Sequence, residues 1–174
     1  MEWQYLKLPI FQLRSVLAAG LVQKCEYIIE IGSYKTPIWE FLRGPHKYVG
    51  CYDLSFEQEL HLDNHPRLQC PLQHIPGQFQ DHISDLPESN FGLVCLGMEI
   101  KGDFEPFIEL VNRSTIAVIE FPPDFRFSLN QFNRLRAECD KEVAMHIRLD
   151  LSDNNFSGLT GSPIRPIRDM YVLE

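Results

Sequence analysis

The chain has 174 residues, a length that fits one domain with a full core, since single cores commonly run to about 100–200 residues. Hydrophobic residues make up 44% and charged residues 23%, which excludes a disordered chain. A formal net charge of −8 repels a phosphate backbone and argues against a general nucleic-acid binder. Apolar runs such as Ile116 to Ile119 fall far short of the roughly 18 residues that cross a bilayer, so no membrane span is expected. The N-terminal MEWQYLKLP lacks the basic, apolar and small-residue regions of a secretory signal, and a cytoplasmic protein is expected. Five cysteines without CxxC spacing suggest neither a disulfide framework nor a zinc ribbon, but reduced thiols buried as small hydrophobes.

In chain order, Ile10, Leu13, Val16, Leu17 and Leu21 recur at helical spacing, with Gln12, Arg14 and Gln23 on other faces. They predict a lead-in helix within residues 1–24, packed on a sheet core formed by 25–174. YIIEI (Tyr27 to Ile31) reads as a strand ended by Gly32, and Thr36-Pro37 as the cap and first position of a short helix facing inward through Ile38, Phe41 and Leu42. A second strand ends at Asp53, after which Ser55 and Gln58 have capping-box spacing for another helix. The stretch from Asp63 to Pro87, rich in Pro, Gln and His, predicts a short strand at Leu68 to Leu72 and otherwise loop.

Phe91 to Gly97 is a nearly continuous apolar strand, Pro106 to Val111 a helix, and STIAVIEF another buried strand. Ser128 and Gln131 repeat the capping-box spacing ahead of a helix bearing Leu129, Phe132, Leu135 and Cys139; VAMHIRLDL and IRDMYVLE close the chain as strands. Strands alternating with helices imply right-handed crossovers and a mostly parallel sheet covered on both faces.

In such a sheet a ligand lies beyond the carboxyl ends of the strands, where strand order reverses. The informative residues are therefore Glu30, Ile31, Gly32, Ser33 and Tyr34 after the first strand, Asp53 and Leu54 after the second, and Gly97, Met98 and Glu99 after the fourth. Here the sequence resembles the class I S-adenosylmethionine-dependent methyltransferases over nearly its whole length. EIGS at Glu30 to Ser33 is similar to their first-strand loop. Asp53 resembles the acid that holds the cofactor's ribose, and DHISDLPESNFGLVCLGMEI resembles the run from an adenine-contacting acid into the fourth strand.

The resemblance implies a Rossmann-like α/β fold, a three-layer αβα sandwich around a mostly parallel seven-stranded sheet whose last strand is antiparallel. It implies S-adenosylmethionine as cofactor, bound by Glu30, Gly32, Ser33, Tyr34, Asp53, Leu54, Asp81, His82 and Gly97. Asp53 would accept the ribose hydroxyls, each hydrogen bond to a charged group being worth about 1.5–3 kcal/mol. Gly32 would turn the main chain with positive φ close to the ligand. Glu30 would hold main-chain amides of the loop or lie near the cationic end of the cofactor. Glu99 is the candidate catalytic residue, as base for a hydroxyl acceptor; its bland alternative is a solvated carboxylate.

Two departures bear on this reading: Tyr34 and Thr36 stand where the family often has glycines, and Gly92 replaces an acid before the fourth strand. They motivate the alternative of a catalytically inactive interaction module whose cofactor cleft is filled. A nicotinamide-dependent dehydrogenase fits less well, because no GxGxxG follows Ile31.

The acceptor is left open between a small molecule and a protein, and the compact chain suits a homodimer or a partner protein that completes the site. No metal is expected. His61 and His65 are four apart, but Pro66 ends the segment and no further ligand completes tetrahedral coordination. FPPDF (Phe121 to Phe125) reads as a stiff loop, and Arg165 and Arg168 as surface charge.

Overall fold

The computed structural model describes residues 9–33, 37–54, 56, 58–150 and 167–174. Helix α1 (Pro9–Val22) precedes β1 (Tyr27–Ile31), a 3-10 turn (Ile38–Glu40), β2 (Tyr48–Asp53), β3 (Leu60–Leu62), β4 (Leu72–Pro76) and a 3-10 helix (Phe79–Asp85). There follow β5 (Phe91–Leu96), α2 (Glu105–Arg113), β6 (Ile116–Phe121), α3 (Arg126–Glu138), β7 (Val143–Asp150) and β8 (Ile167–Leu173). The sheet order is β3-β4-β2-β1-β5-β6-β8-β7. β4, β2, β1, β5 and β6 run parallel, β8 is antiparallel to both β6 and β7, and β3 is antiparallel to β4.

The expected α/β architecture with its antiparallel last strand is present, carried on an eight-stranded rather than a seven-stranded sheet. The extra strand lies where a helix was expected after Asp53. Leu60–Leu62 pair with β4 at the sheet edge, so this crossover ends in a hairpin despite the capping-box spacing of Ser55, which lies outside the described residues, and Gln58. β4 begins at Leu72, where the predicted short strand was to end.

Side-chain alternation along each strand builds a core on each side of the sheet. On one side Ile29, Leu93, Cys95, Ala117 and Ile119 meet Phe107, Leu110 and Val111 of α2 and Phe132 and Leu135 of α3. On the other, Ile28, Val49, Cys51, Val94 and Val118 meet Ala18, Ala19 and Val22 of α1 together with Ile38 and Leu42. Helix α1 is where expected but turned: Leu13 and Val16 are exposed, while Arg14, Ser15, Ala18, Ala19 and Val22 are buried. Small residues win the inward face because the helix lies close to the sheet. A Cβ built on Gly92 would lie 2.8 Å from Val22 Cβ and 3.1 Å from Cys25 Sγ.

Helical cover is uneven. α2 and α3 close one face over β5, β6 and β8, but among the described residues no α-helix lies between β2 and β5, and Tyr27, Tyr48 and Ile75 on that same face remain half-buried.

Candidate functional site

Four parallel strands end around one hollow of about 430 Å³. Ile31 and Gly32 reach it from β1, Tyr52, Asp53 and Leu54 from β2, Gly77 to Gln80 from beyond β4, and Cys95, Gly97, Glu99, Ile100 and Lys101 from β5 and the segment after it. Its volume lies in the range of roughly 300–1,000 Å³ typical of small-ligand pockets. Gly32 sits at φ +72°, and among the described residues no atom lies within 4 Å of an added Cβ, so the main chain turns at the rim of the hollow. Gly97, at φ +77°, makes the matching turn after β5.

Beneath this rim Glu30 is fully buried. Its Oε2 accepts the amide of Ile38 at 3.0 Å and the thiol of Cys51 at 3.4 Å, so the carboxyl ties β1 to the turn that follows and to β2. Burial pushes its pKa up to about 8, against the opposing effect of those hydrogen bonds and of Arg14.

A second buried carboxylate organises the β5 side. Glu120, at the end of β6, accepts Gly97 N–H at 2.7 Å, Arg14 Nη1 at 3.1 Å and Arg168 Nη2 at 3.1 Å through Oε2, and Arg168 Nε through Oε1. Burial alone would raise the Glu120 pKa, but the two guanidinium groups and the amide outweigh it and hold the carboxyl below its ordinary value. Burial likewise lowers the Arg14 pKa to about 10, with Glu120 opposing. Arg14 and Arg168, expected on outward-facing surface, are thus buried beside the site because Glu120 supplies their countercharge; Arg165 lies outside the described residues.

The segment carrying Glu99 is pinned along its length. Ser128 Oγ donates to Met98 O, Gln131 exchanges hydrogen bonds with Ile100 N at 3.0 Å and Ile100 O at 2.6 Å, and Gln80 Nε2 donates to Lys101 O and Asp103 O at 3.0 Å each. Ser128 and Gln131 therefore act inside α3, which starts at Arg126, and not as the capping box their spacing suggested. Their role was concealed because the same three-residue spacing serves both purposes on a helix.

Of the residues singled out by sequence, the structure brings Gly32, Asp53, Leu54, Gly97 and Glu99 to the hollow and sets Glu30 beneath it. Ser33 is buried and does not line it. Asp81 is exposed on the 3-10 helix away from it, and His82 lines a larger cavity next door; Gln78, Phe79 and Gln80 take the nearer positions. Tyr34 and Thr36 lie outside the described residues. The Gly92 departure has a packing cause, since Val22 and Cys25 occupy the space an acid would need. His61 stands on β3 rather than on a helix, and no group of three metal-ligating side chains occurs among the described residues. No helix among them is long and apolar enough to cross a membrane.

No protein-family model matches the sequence, and no curated protein matches it. Solved structures do. An O-methyltransferase from Bacillus cereus, in complex with S-adenosylhomocysteine, superposes with a TM-score of 0.60 at 12% identity, covering 93% of this chain and 81% of that one. A SAM-dependent methyltransferase from Archaeoglobus fulgidus gives 0.55 at 11% identity over 94% and 93% of the two chains. Magnesium protoporphyrin IX methyltransferase from Synechocystis, with bound SAM, gives 0.54 at 10% over 94% and 77%. With its strand order and its antiparallel β8, the chain has the Rossmann-like fold of the class I S-adenosylmethionine-dependent methyltransferases.

Proposed function

We propose that the hollow binds S-adenosylmethionine and that the protein is a methyltransferase acting on an acceptor that enters on the Glu99 side. The observation that carries this reading is the convergence of Gly32, Asp53 and Gly97 on one hollow at the carboxyl ends of β1, β2 and β5. The residues fit the group. No described atom crowds the main chain at Gly32, which lets a ligand approach it closely, and Asp53 offers a carboxylate to a ribose. Gln78 lines the hollow with a side-chain amide suited to a purine edge, while the Gln80 amino group is taken up by Lys101 O and Asp103 O.

The cofactor, when bound, supplies an activated methyl group on a sulfonium, so the protein's part is chiefly alignment. This chain's contribution is stiffness. Glu30 ties β1 to the turn that follows, Glu120 fixes Gly97, and Ser128, Gln131 and Gln80 fix the segment that carries Glu99. Glu99, exposed at the rim, is placed to take a proton from a hydroxyl acceptor. The five free cysteines suit the reducing conditions of the cytoplasm, where we place the protein.

Calorimetric titration with S-adenosylhomocysteine tests the reading. We expect saturable heat, with about 2.7 kcal/mol of added stability at one hundred times Kd. Absence of heat at millimolar ligand overturns it and leaves an inactive interaction module on the same scaffold.

A further inference from the structure

The half-covered part of the sheet holds a second hollow of about 750 Å³, separated from the first by Tyr52, which lines both. Its floor is aromatic. Tyr27 and Tyr48 are register partners on β1 and β2, and Tyr52 follows on the same face of β2. Gly50 between the two β2 tyrosines makes this possible: a Cβ there would lie 2.7 Å from Tyr48 Cε1 and 2.7 Å from its Oη, so the ring lies over the space a side chain would fill.

The phenol oxygens of Tyr48 and Tyr52 are already engaged, which leaves their π-systems to face a ligand. Tyr48 Oη donates to Gln73 Oε1 at 2.7 Å and lies 3.5 Å from Tyr52 Oη. Ile75 and Leu86 add an aliphatic wall. Around it stand the exposed carboxylates Glu59, Asp85 and Glu88, with no lysine or arginine among the described lining residues. The one described lining group able to become cationic, His82, has its ring tilted against Tyr52 at 5.8 Å between centroids and sits 4.0 Å from Asp85. At the margin, Lys47 Nζ, paired with Glu26 Oε2 at 2.8 Å, lies 5.8 Å from the Tyr27 ring centroid.

Aromatic faces and anionic rims both select positive charge, and an apolar wall selects a ligand with a hydrocarbon body. We propose that this hollow is a binding site for an organic cation, a guanidinium or alkylammonium group carried on an apolar stem. The site does not depend on what occupies the smaller hollow.

The test titrates the full chain with N-acetyl-arginine amide, with its neutral isostere N-acetyl-citrulline amide, and with a nonapeptide bearing one central arginine among neutral residues. The arginine amide is expected to bind at least tenfold more tightly than the citrulline amide. The triple variant Glu59→Gln, Asp85→Asn, Glu88→Gln changes exposed side chains only and should lose at least tenfold in affinity for the arginine amide. A control that removes the same charge elsewhere, Glu138→Gln, Asp140→Asn, Glu142→Gln, should stay within twofold of the parent. Equal binding of arginine and citrulline, an equal loss in the control, or no saturation at millimolar arginine amide overturns the proposal. Tighter binding of the peptide than of the free amide supports a protein segment as the natural source of the cation; equal binding supports a small metabolite.

Discussion

The two ends of the sheet belong to one mostly parallel array but are closed in different ways. On the β5–β6–β8 side, α2 and α3 bring Phe107, Leu110, Phe132 and Leu135 onto the strands and bury them. On the β1–β2–β4 side the connections are a hairpin and 3-10 turns, and the strands face a hollow through tyrosines. Where a crossover helix covers a strand, the side chains beneath it serve packing. Where the crossover shrinks to a hairpin, the same alternation leaves amphipathic side chains at a surface, available to a ligand.

Substitutions at the two ends should therefore differ in cost. The largest effect is expected at Glu120, because its removal strands two buried guanidinium groups. Breaking a buried pair of this kind costs about 3–5 kcal/mol, so chemical denaturation of Glu120→Ala should show a loss of that order or no folded protein. An unchanged midpoint would mean that the arginines find other partners.

The pH dependence has the corresponding sign. The Glu120 carboxyl binds a proton in the unfolded chain near its ordinary 4.5 and in the folded chain only at lower pH, so its stabilisation is whole above that value and is lost as acid titrates the folded state. Glu30 runs in the opposite direction. Folded it holds its proton to about pH 8 and unfolded only to about 4.5, so stability falls as pH rises through that window. In Glu30→Gln this fall should vanish from a series of melts between those values; its persistence would remove Glu30 as the cause.

Within the packed end, Phe107→Ala should cost about 3–5 kcal/mol, as expected for a fully buried aromatic residue. At the rim, Gly32→Ala meets no described atom within 4 Å and its cost is that of the positive φ, about 1–2 kcal/mol. Leu60→Ala on the exposed edge strand should stay within about 0.5 kcal/mol. Comparable losses at Phe107 and Leu60 in urea titrations would contradict the contrast between the two ends.

Legibility in the sequence follows the same division. β1, β5 and β6 are buried on both faces, so each is a short apolar run bounded by turn residues, and YIIEI falls on the observed bounds of β1. β3 was missed because it is only three residues long and exposed throughout, while Ser55 and Gln58 imitate a helix start. The convergence of Gly32, Asp53 and Gly97 was readable because strand ends in a parallel sheet share one edge. Arg14, Arg168 and Gln131 were not, because their roles depend on partners 106, 48 and 31 residues away, and nothing local marks a charged residue that will be neutralised at such a distance.

Paired calorimetric titrations of the parent chain and of Asp53→Ala with S-adenosylhomocysteine test the central claim most directly. Loss of even one hydrogen bond to a charged carboxylate, at about 1.5–3 kcal/mol, predicts at least a tenfold weaker Kd with the fold retained. Equal affinity in the two proteins would place the ligand somewhere other than the hollow beside β2.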